Sequence, residues 1–448
     1  MRGSFLERRF QLASNGTTVG TEVLAGTTTF LTLSYILFVQ PAVLSTTGMD
    51  FGSVMVATCL ASALATALMG LYANYPIALA PAMGHNFYFA FTVCGAVTAG
   101  GMGFRWETAL GGVFVSGVVF LLLSRFGFRA RLLNEVPDSL KHAIAVGIGL
   151  LIAFVGLQWA GIVVARPGTL VGLGHLSSPP ALLSLFGLVL TGVLLARSIR
   201  GSILWGILAT AIVGIPAGLV KYSGVVSAPP SLAPTLFKLE LTGLLSGAGF
   251  IVIGIFFFLA LFDTIGTLVG VSEQAGFFKD GKLPRAEKAL TADAAGMTAG
   301  ALLGTSTITS YIESAAGVAV GGRTGLASVV TAGLFLLALF FSPLARMIGE
   351  GHVTPEGAHV YPVIAPALIL IGSLMLRWIP QVPWTDPTEA IPAFLTILVM
   401  PLTVSITDGI AFGLISYSVL KLVTGRLHEA HWLIHLFAAL LALRYVVA

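Results

Sequence analysis

Two carboxylates in this chain stand where a charge is hard to keep. Asp263 follows the run Phe256-Phe257-Phe258-Leu259-Ala260-Leu261-Phe262, and Glu313 sits in Ser310-Tyr311-Ile312-Glu313-Ser314. Apolar surroundings penalise the charged form of any carboxylate, so a group placed there needs a reason. Such a group can hold and release a proton, and it can accept hydrogen bonds from ring N–H groups of a ligand. A third polar position, Asn86, closes the string Ala80-Pro81-Ala82-Met83-Gly84-His85-Asn86. Asn86, Asp263 and Glu313 are therefore candidate binding residues, with Asp263 and Glu313 also candidates for proton coupling. The bland reading of either carboxylate alone is a satisfied hydrogen bond between helices, and His85 stays open between packing and the site.

Other chemistries find no support in the residues. There is no metal-ligand cluster, no phosphate-loop signature and no Gly-x-Ser-x-Gly. Gly147-Ile148-Gly149 has no strand before it to make a nucleotide loop, and Cys59 and Cys94 lie in apolar segments as small buried residues. Glu389 and Asp408 sit near helix starts and read as caps or interfacial groups. Gly266-x-x-x-Gly270 and Gly317-x-x-x-Gly321 read as close-packing patterns. No metal, no cofactor and no ATP hydrolysis are expected; the chain does not read as an enzyme.

The elements that must position these groups follow from composition. Only 42 of 448 residues are charged, 23 Lys+Arg and 19 Asp+Glu, which is 9%. A soluble chain carries about a quarter. Hydrophobic residues make up 56% and the mean hydropathy is +0.96. Water-soluble globular, disordered, collagenous and disulfide-scaffold classes are excluded, leaving an all-α polytopic membrane protein. At ~20 residues per spanning helix there is room for a dozen or more spans. Apolar runs place them at 23–45, 51–73, 77–98, 108–125, 139–164, 180–197, 202–220, 243–272, 289–303, 305–322, 325–347, 359–378, 388–402 and 403–423. The stretch 431–447 either spans or lies on the surface. The N-terminus does not read as a cleavable signal.

Charge orients this count. With residues 1–22 cytoplasmic, inside positions collect Arg2, Arg8, Arg9, Arg125, Arg129, Arg131, Lys141, Arg197, Arg200, Lys279, Lys282, Arg285, Lys288, Arg323, Arg377, Lys421 and Arg426. Outside are Arg105, Arg166, Lys221, Lys238 and Arg346, with Arg444 undecided, a bias of 17 to 5. The net charge of +4 thus reads as positive-inside rather than as a nucleic-acid patch.

Depth then ties the polar groups together. Asp263 lies nine residues before Ser272 at the inner end of span eight, roughly 13 Å at ~1.5 Å per residue, close to half of a ~30 Å core. Glu313 lies ten residues before Arg323, and Asn86 ten after Pro76. Three separate strings reach the midplane. Fourteen spans divide into two sevens of opposite orientation, a first repeat over 23–220 and an inverted one over 243–423, followed by an apolar segment over 424–448. The third span of each is interrupted, by 80–86 and by Gly304-Thr305-Ser306-Thr307-Ile308-Thr309-Ser310. Interrupted segments at matching positions in two halves point to a transporter's central site.

At these motifs the chain resembles nucleobase–cation symporter family 2, in its adenine/guanine/hypoxanthine permease branch. The resemblance runs through Phe30-Leu31-Thr32-Leu33-Ser34-Tyr35-Ile36 with Gln40-Pro41, Ala73-Asn74-Tyr75-Pro76-Ile77-Ala78-Leu79-Ala80-Pro81, Thr305 to Gly317, and Thr388-Glu389-Ala390-Ile391-Pro392-Ala393-Phe394-Leu395-Thr396. It implies fourteen helices in two inverted repeats, a core and a gate domain, and short extended segments in spans three and ten. Substrate would sit between spans three, eight and ten, and the activity implied is proton-coupled nucleobase uptake. By motif, Gly84 and Asn86 match the family's span-three contacts and Glu313 its span-ten carboxylate. The family's two acidic residues in span eight are here Ala260 and Asp263, and His85 stands where it usually has an apolar residue. Expected partners are a nucleobase, most readily a purine, protons, the lipid bilayer of the inner membrane and a second copy in a homodimer; nucleic acid is not one. A carrier of another heterocycle or an anion on the same fold is the rival, and an intramembrane aspartyl hydrolase the distant one.

Overall fold

The computed structural model describes residues 5–125, 137–166, 168–277, 283–354, 357–429 and 431–447. Arg2, Arg129, Arg131, Lys279 and Lys282 lie outside them. A short helix α1 (Phe5–Phe10) precedes α2 (Val19–Leu33) and α3 (Ile36–Ser45), which together form one span bent at Ser34-Tyr35. Next come α4 (Phe51–Leu68), which widens into a π turn to Ala73, then strand β1 (Leu79–Pro81) and α5 (Met83–Phe87), which continues as a π turn to Val93. Helices α6 (Trp106–Arg125) and α7 (Asp138–Trp159), hairpin β2 (Val163–Arg166) and β3 (Leu170–Leu173), α8 (Pro179–Ala196) and α9 (Ser202–Gly214) complete the first half.

The second half runs α10 (Gly247–Ala275), α11 (Ala286–Leu303), β4 (Ile308–Ser310), α12 (Ser314–Ala319), α13 (Gly325–Ala338), α14 (Ser342–Gly349), hairpin β5 (His352–Val353) and β6 (His359–Val360), α15 (Ala365–Met375), α16 (Pro387–Thr403), α17 (Ile406–Val423) and α18 (Trp432–Val447). Among the described residues, eight helical stretches are long and apolar enough to cross a membrane, and four shorter apolar helices accompany them. Many apolar side chains remain exposed on these helices, Val189, Ile212 and Leu402 at 66%, 67% and 68% among them. In water such a surface would be untenable; against lipid it is the expected outside.

Helix limits moved where prolines and glycines dictate. Span seven stops at Gly214 ahead of Pro216, not at 220, and span twelve starts at Ala365 after Pro362, not at 359. Span eleven is broken into α13 and α14 by a 3-10 turn ahead of Pro343. Span one begins four residues earlier than its apolar run, because Glu22 is fully buried. Its carboxylate accepts from the amides of Arg323 (2.8 Å), Thr324 (3.2 Å) and Ala327 (3.2 Å). These are orphan donors at the start of α13, so a negative charge there caps the helix and opposes its dipole.

At the end of the bundle where α7 and α16 begin and α17 finishes, five charges interlock. Lys421, with no exposed surface, donates to Glu389 and Glu429, each at 2.7 Å. Arg426 holds Glu429 at 2.7 Å and Asp386 at 2.9 Å, and Ser139 donates to Glu389. Glu389 is thus more than an interfacial group, and Lys421 is a buried partner inside α17 rather than a loop cation. Asp386 caps α16: the Thr388 amide, the Thr388 hydroxyl and Arg426 hold its carboxyl down at about 2. Arg426 and Lys421 hold Glu429 at about 2 as well.

Candidate functional site

The two interrupted spans meet in a buried antiparallel pair. Pro81 cannot donate a backbone hydrogen bond, and Thr305, Thr307 and Thr309 resist the helix, so both segments run extended. Extended backbone buried among helices needs partners for its N–H and C=O groups, and each segment supplies the other's. Leu79, Ala80 and Pro81 pair antiparallel with Ser310, Thr309 and Ile308. The ladder extends on both sides, Ala82 N–H donating to Thr307 (2.9 Å) and Tyr311 N–H to Ala78 (2.9 Å). Thr66 closes the outer edge, accepting from the Leu79 amide at 2.9 Å.

The polar side chains converge on this ladder. Thr309 donates to Asp263 at 2.8 Å, bringing the span-eight carboxylate onto β4. Tyr35, at the bend of span one, donates to Glu313 at 2.8 Å. Asn86 is fully buried and accepts from Ser306, which itself accepts from Gln40 at 3.0 Å. Gln40 also donates to Thr305 at 3.0 Å. Asn86 is therefore bound within the protein, tying spans one, three and ten together, whereas Asp263 lies on an exposed face of α10 and Glu313 is half-buried. His85 is 3% exposed, and its Nε2 has no hydrogen-bond partner among the described residues. At Gly84 a Cβ would come within 2.9 Å of Ile148, so the glycine is where the half-helix of span three touches α7. Ala260 has no exposed surface and packs in the core near Phe256.

Asp293 is a carboxylate that sequence reasoning passed over. It is fully buried in α11 and accepts from the Ser310 amide (2.8 Å), the Ser310 hydroxyl (3.0 Å) and the Thr264 hydroxyl (2.7 Å). It thereby fixes β4 against α10. The signal was available: Asp293 stands in Thr291-Ala292-Asp293-Ala294-Ala295 inside an expected span, and the rule applied to Asp263 covers it equally. Tyr35 offered less, because one tyrosine in an apolar run reads as core.

The two glycine patterns part company. A Cβ on Gly317 would lie 2.7 Å from the Ala25 carbonyl oxygen, so this glycine does allow α12 to pack closely on α2. Around Gly266 nothing lies within 4 Å of such a Cβ, and at Gly270 only Ile312, at 3.4 Å. The expected close packing is absent there. Asp263, Gly266, Gly270 and Gln274 share one face of α10, and the space in front of Gly266 is open.

Apolar spans, two interrupted segments stitched together at their centre and carboxylates gathered on them define a multi-pass membrane transport fold. Its solved counterparts include the transmembrane domain of a cyanobacterium bicarbonate transporter, at TM-score 0.61 and 14% identity over 88% of this chain and 97% of that one. Residues 20–412 match the sequence profile described as "Permease family". The chain belongs to the nucleobase–cation symporter 2 family and is a transporter rather than an enzyme. It is 51% identical to a protein of Methanocaldococcus jannaschii over 99% of this chain and 98% of that one. An adenine permease of Escherichia coli is 44% identical over 98% and 96%, and a guanine/hypoxanthine permease of Bacillus subtilis 44% over 94% and 95%.

Proposed function

We propose that this chain is a secondary-active purine permease of the inner membrane, working by proton symport and alternating access. The observation that carries the reading is the convergence of Asp263, Glu313 and Asp293 on the paired segments β1 and β4. A purine presents ring N–H donors and ring nitrogen acceptors along one plane, which suits carboxylates and hydroxyls set around an extended backbone. Asp263 faces open space and Glu313 is held by one tyrosine, so these two are the proposed substrate and proton contacts. Gly84, His85 and Asn86 are the proposed contributors from span three. The names of the relatives support adenine, guanine and hypoxanthine as the first substrates to try.

In this reading the helices form fourteen spans in two inverted repeats, 23–220 and 243–423, with the N-terminus cytoplasmic. The antiparallel pairing of β1 with β4 supports it, since segments at matching positions in inverted halves meet head to tail. Labelled purine uptake into cells tests the function. Glu313→Gln keeps size but removes the titratable proton, so it is expected to abolish accumulation, and Asp263→Asn likewise, with some exchange surviving. Wild-type accumulation by both variants would refute the roles.

A further inference from the structure

Away from the paired segments, a cavity opens at the end of the bundle where span one finishes. It encloses about 480 Å³, within the ~300–1,000 Å³ of small-molecule pockets. Five separate parts of the chain meet there. Thr46 follows α3, Phe51 starts α4, Trp159 ends α7, Glu350 follows α14, and His359 and Tyr361 come from the second hairpin. Under the proposed orientation this is the outer face.

The lining is an aromatic stack with polar edges. Tyr361 is pinned by its amide, which donates to the Trp159 carbonyl at 2.8 Å, and the two ring centroids lie 4.2 Å apart. The His359 ring stacks on Tyr361 at 5.1 Å with planes 10° apart, and its Nε2 reaches the Glu350 carbonyl oxygen at 3.1 Å. Glu350 stands beside this ladder, its carboxylate tied by one oxygen to Arg346 at 3.2 Å and 54% exposed. Phe51, Trp159 and Tyr361 are each under 9% exposed, so the rings are rigidly held, whereas His359 and Thr46 are open to solvent. His359, the exposed outer ring of this rigidly backed stack, offers a planar ligand an offset face, and a carboxylate at the rim accepts from ring N–H groups.

We propose that this cavity is an outer vestibule site that captures a planar heteroaromatic base before it enters the central site. Capture here and binding at Asp263 and Glu313 are separate events, so the vestibule sets how efficiently dilute substrate is collected. The inference rests on the purine-transport reading, and its test separates the two. In purified protein carrying Glu313→Gln, titration with adenine is expected to give a saturable quench of tryptophan fluorescence, lost in Trp159→Phe, which removes the reporter but keeps a ring. Tyr361→Leu and His359→Ala are each expected to weaken this binding about three- to tenfold, the worth of one aromatic pair, while Tyr361→Phe restores it. In otherwise wild-type cells the same variants should raise the KM for uptake by a similar factor with the maximal rate kept. No saturable Trp159 signal, or one unmoved by Tyr361→Leu and His359→Ala, would overturn the vestibule. A wild-type chain that binds adenine at Trp159 yet accumulates no purine would instead overturn the transport function.

Discussion

Asp293 gives the sharpest test of how the site is built. Among the described residues its two oxygens take three donors, at 2.8, 3.0 and 2.7 Å, in a place with no exposed surface. Asp293→Asn leaves one oxygen for the Ser310 amide and hydroxyl and turns an NH2 toward Thr264, whose hydroxyl can rotate to accept. The cost should be about 1–2 kcal/mol, one charge-assisted bond exchanged for a neutral one. Asp293→Ala removes both acceptor oxygens, leaving three donors without them, and strands the Ser310 N–H inside a buried strand, a loss of about 4 kcal/mol after partial relaxation. Thr264→Val should cost about as much as the Asn variant, and the two changes should not add, because both act on the same Thr264–Asp293 contact. Thermal unfolding of the solubilised protein reads the order wild type, Asn, Ala. Uptake of labelled adenine at matched protein level reads the consequence: Ser310 neighbours Thr309, so loosening it moves the hydroxyl that holds Asp263. The expected result is a raised KM in Asp293→Asn and no uptake in Asp293→Ala. An alanine variant that melts and transports like wild type would refute the reasoning.

Three further outcomes are expected. Ser231→Cys and Lys288→Cys, both at exposed positions, should react with an impermeant thiol reagent from opposite sides of intact cells; reaction of both from outside would overturn the orientation. His85→Leu should weaken uptake, and His85→Leu with Ala260→Asp should move a competition panel toward adenine, guanine or hypoxanthine; an unchanged profile removes both positions from specificity. The carboxyls of Asp386 and Glu429 are held near 2, below their ordinary range near 4, so their stabilisation is complete above about pH 4 and lost only as pH falls through about 2. Asp386→Asn should therefore lower thermal stability without changing the shape of the uptake–pH curve from pH 5 to 8, and a displaced curve would implicate this network in coupling.

Much was legible in the chain because the membrane makes strong demands on local sequence. Scarcity of charge sets the class, and runs of apolar residues outline where helices lie, with ends that prolines shift at Gly214 and Ala365. A helix rises by a fixed amount per residue, so counting from the nearest polar boundary gave Asp263, Glu313 and Asn86 a common expected depth. The breaks in spans three and ten were visible too, since Pro81, Gly304 and the run of threonines act within a turn or two of where they stand. What the chain alone could not give is which distant groups meet. The partner of Leu79-Ala80-Pro81 lies some 230 residues away, and no local pattern encodes that Ala80 faces Thr309. The pairing of Tyr35 with Glu313, the three donors gathered on Asp293 and the burial of Lys421 between two glutamates are likewise long-range. Gly266 and Gly317 carry the same spacing pattern, yet one faces open space and the other a helix backbone. Periodicity fixes which face of a helix a residue shares; only the packed structure decides what that face meets.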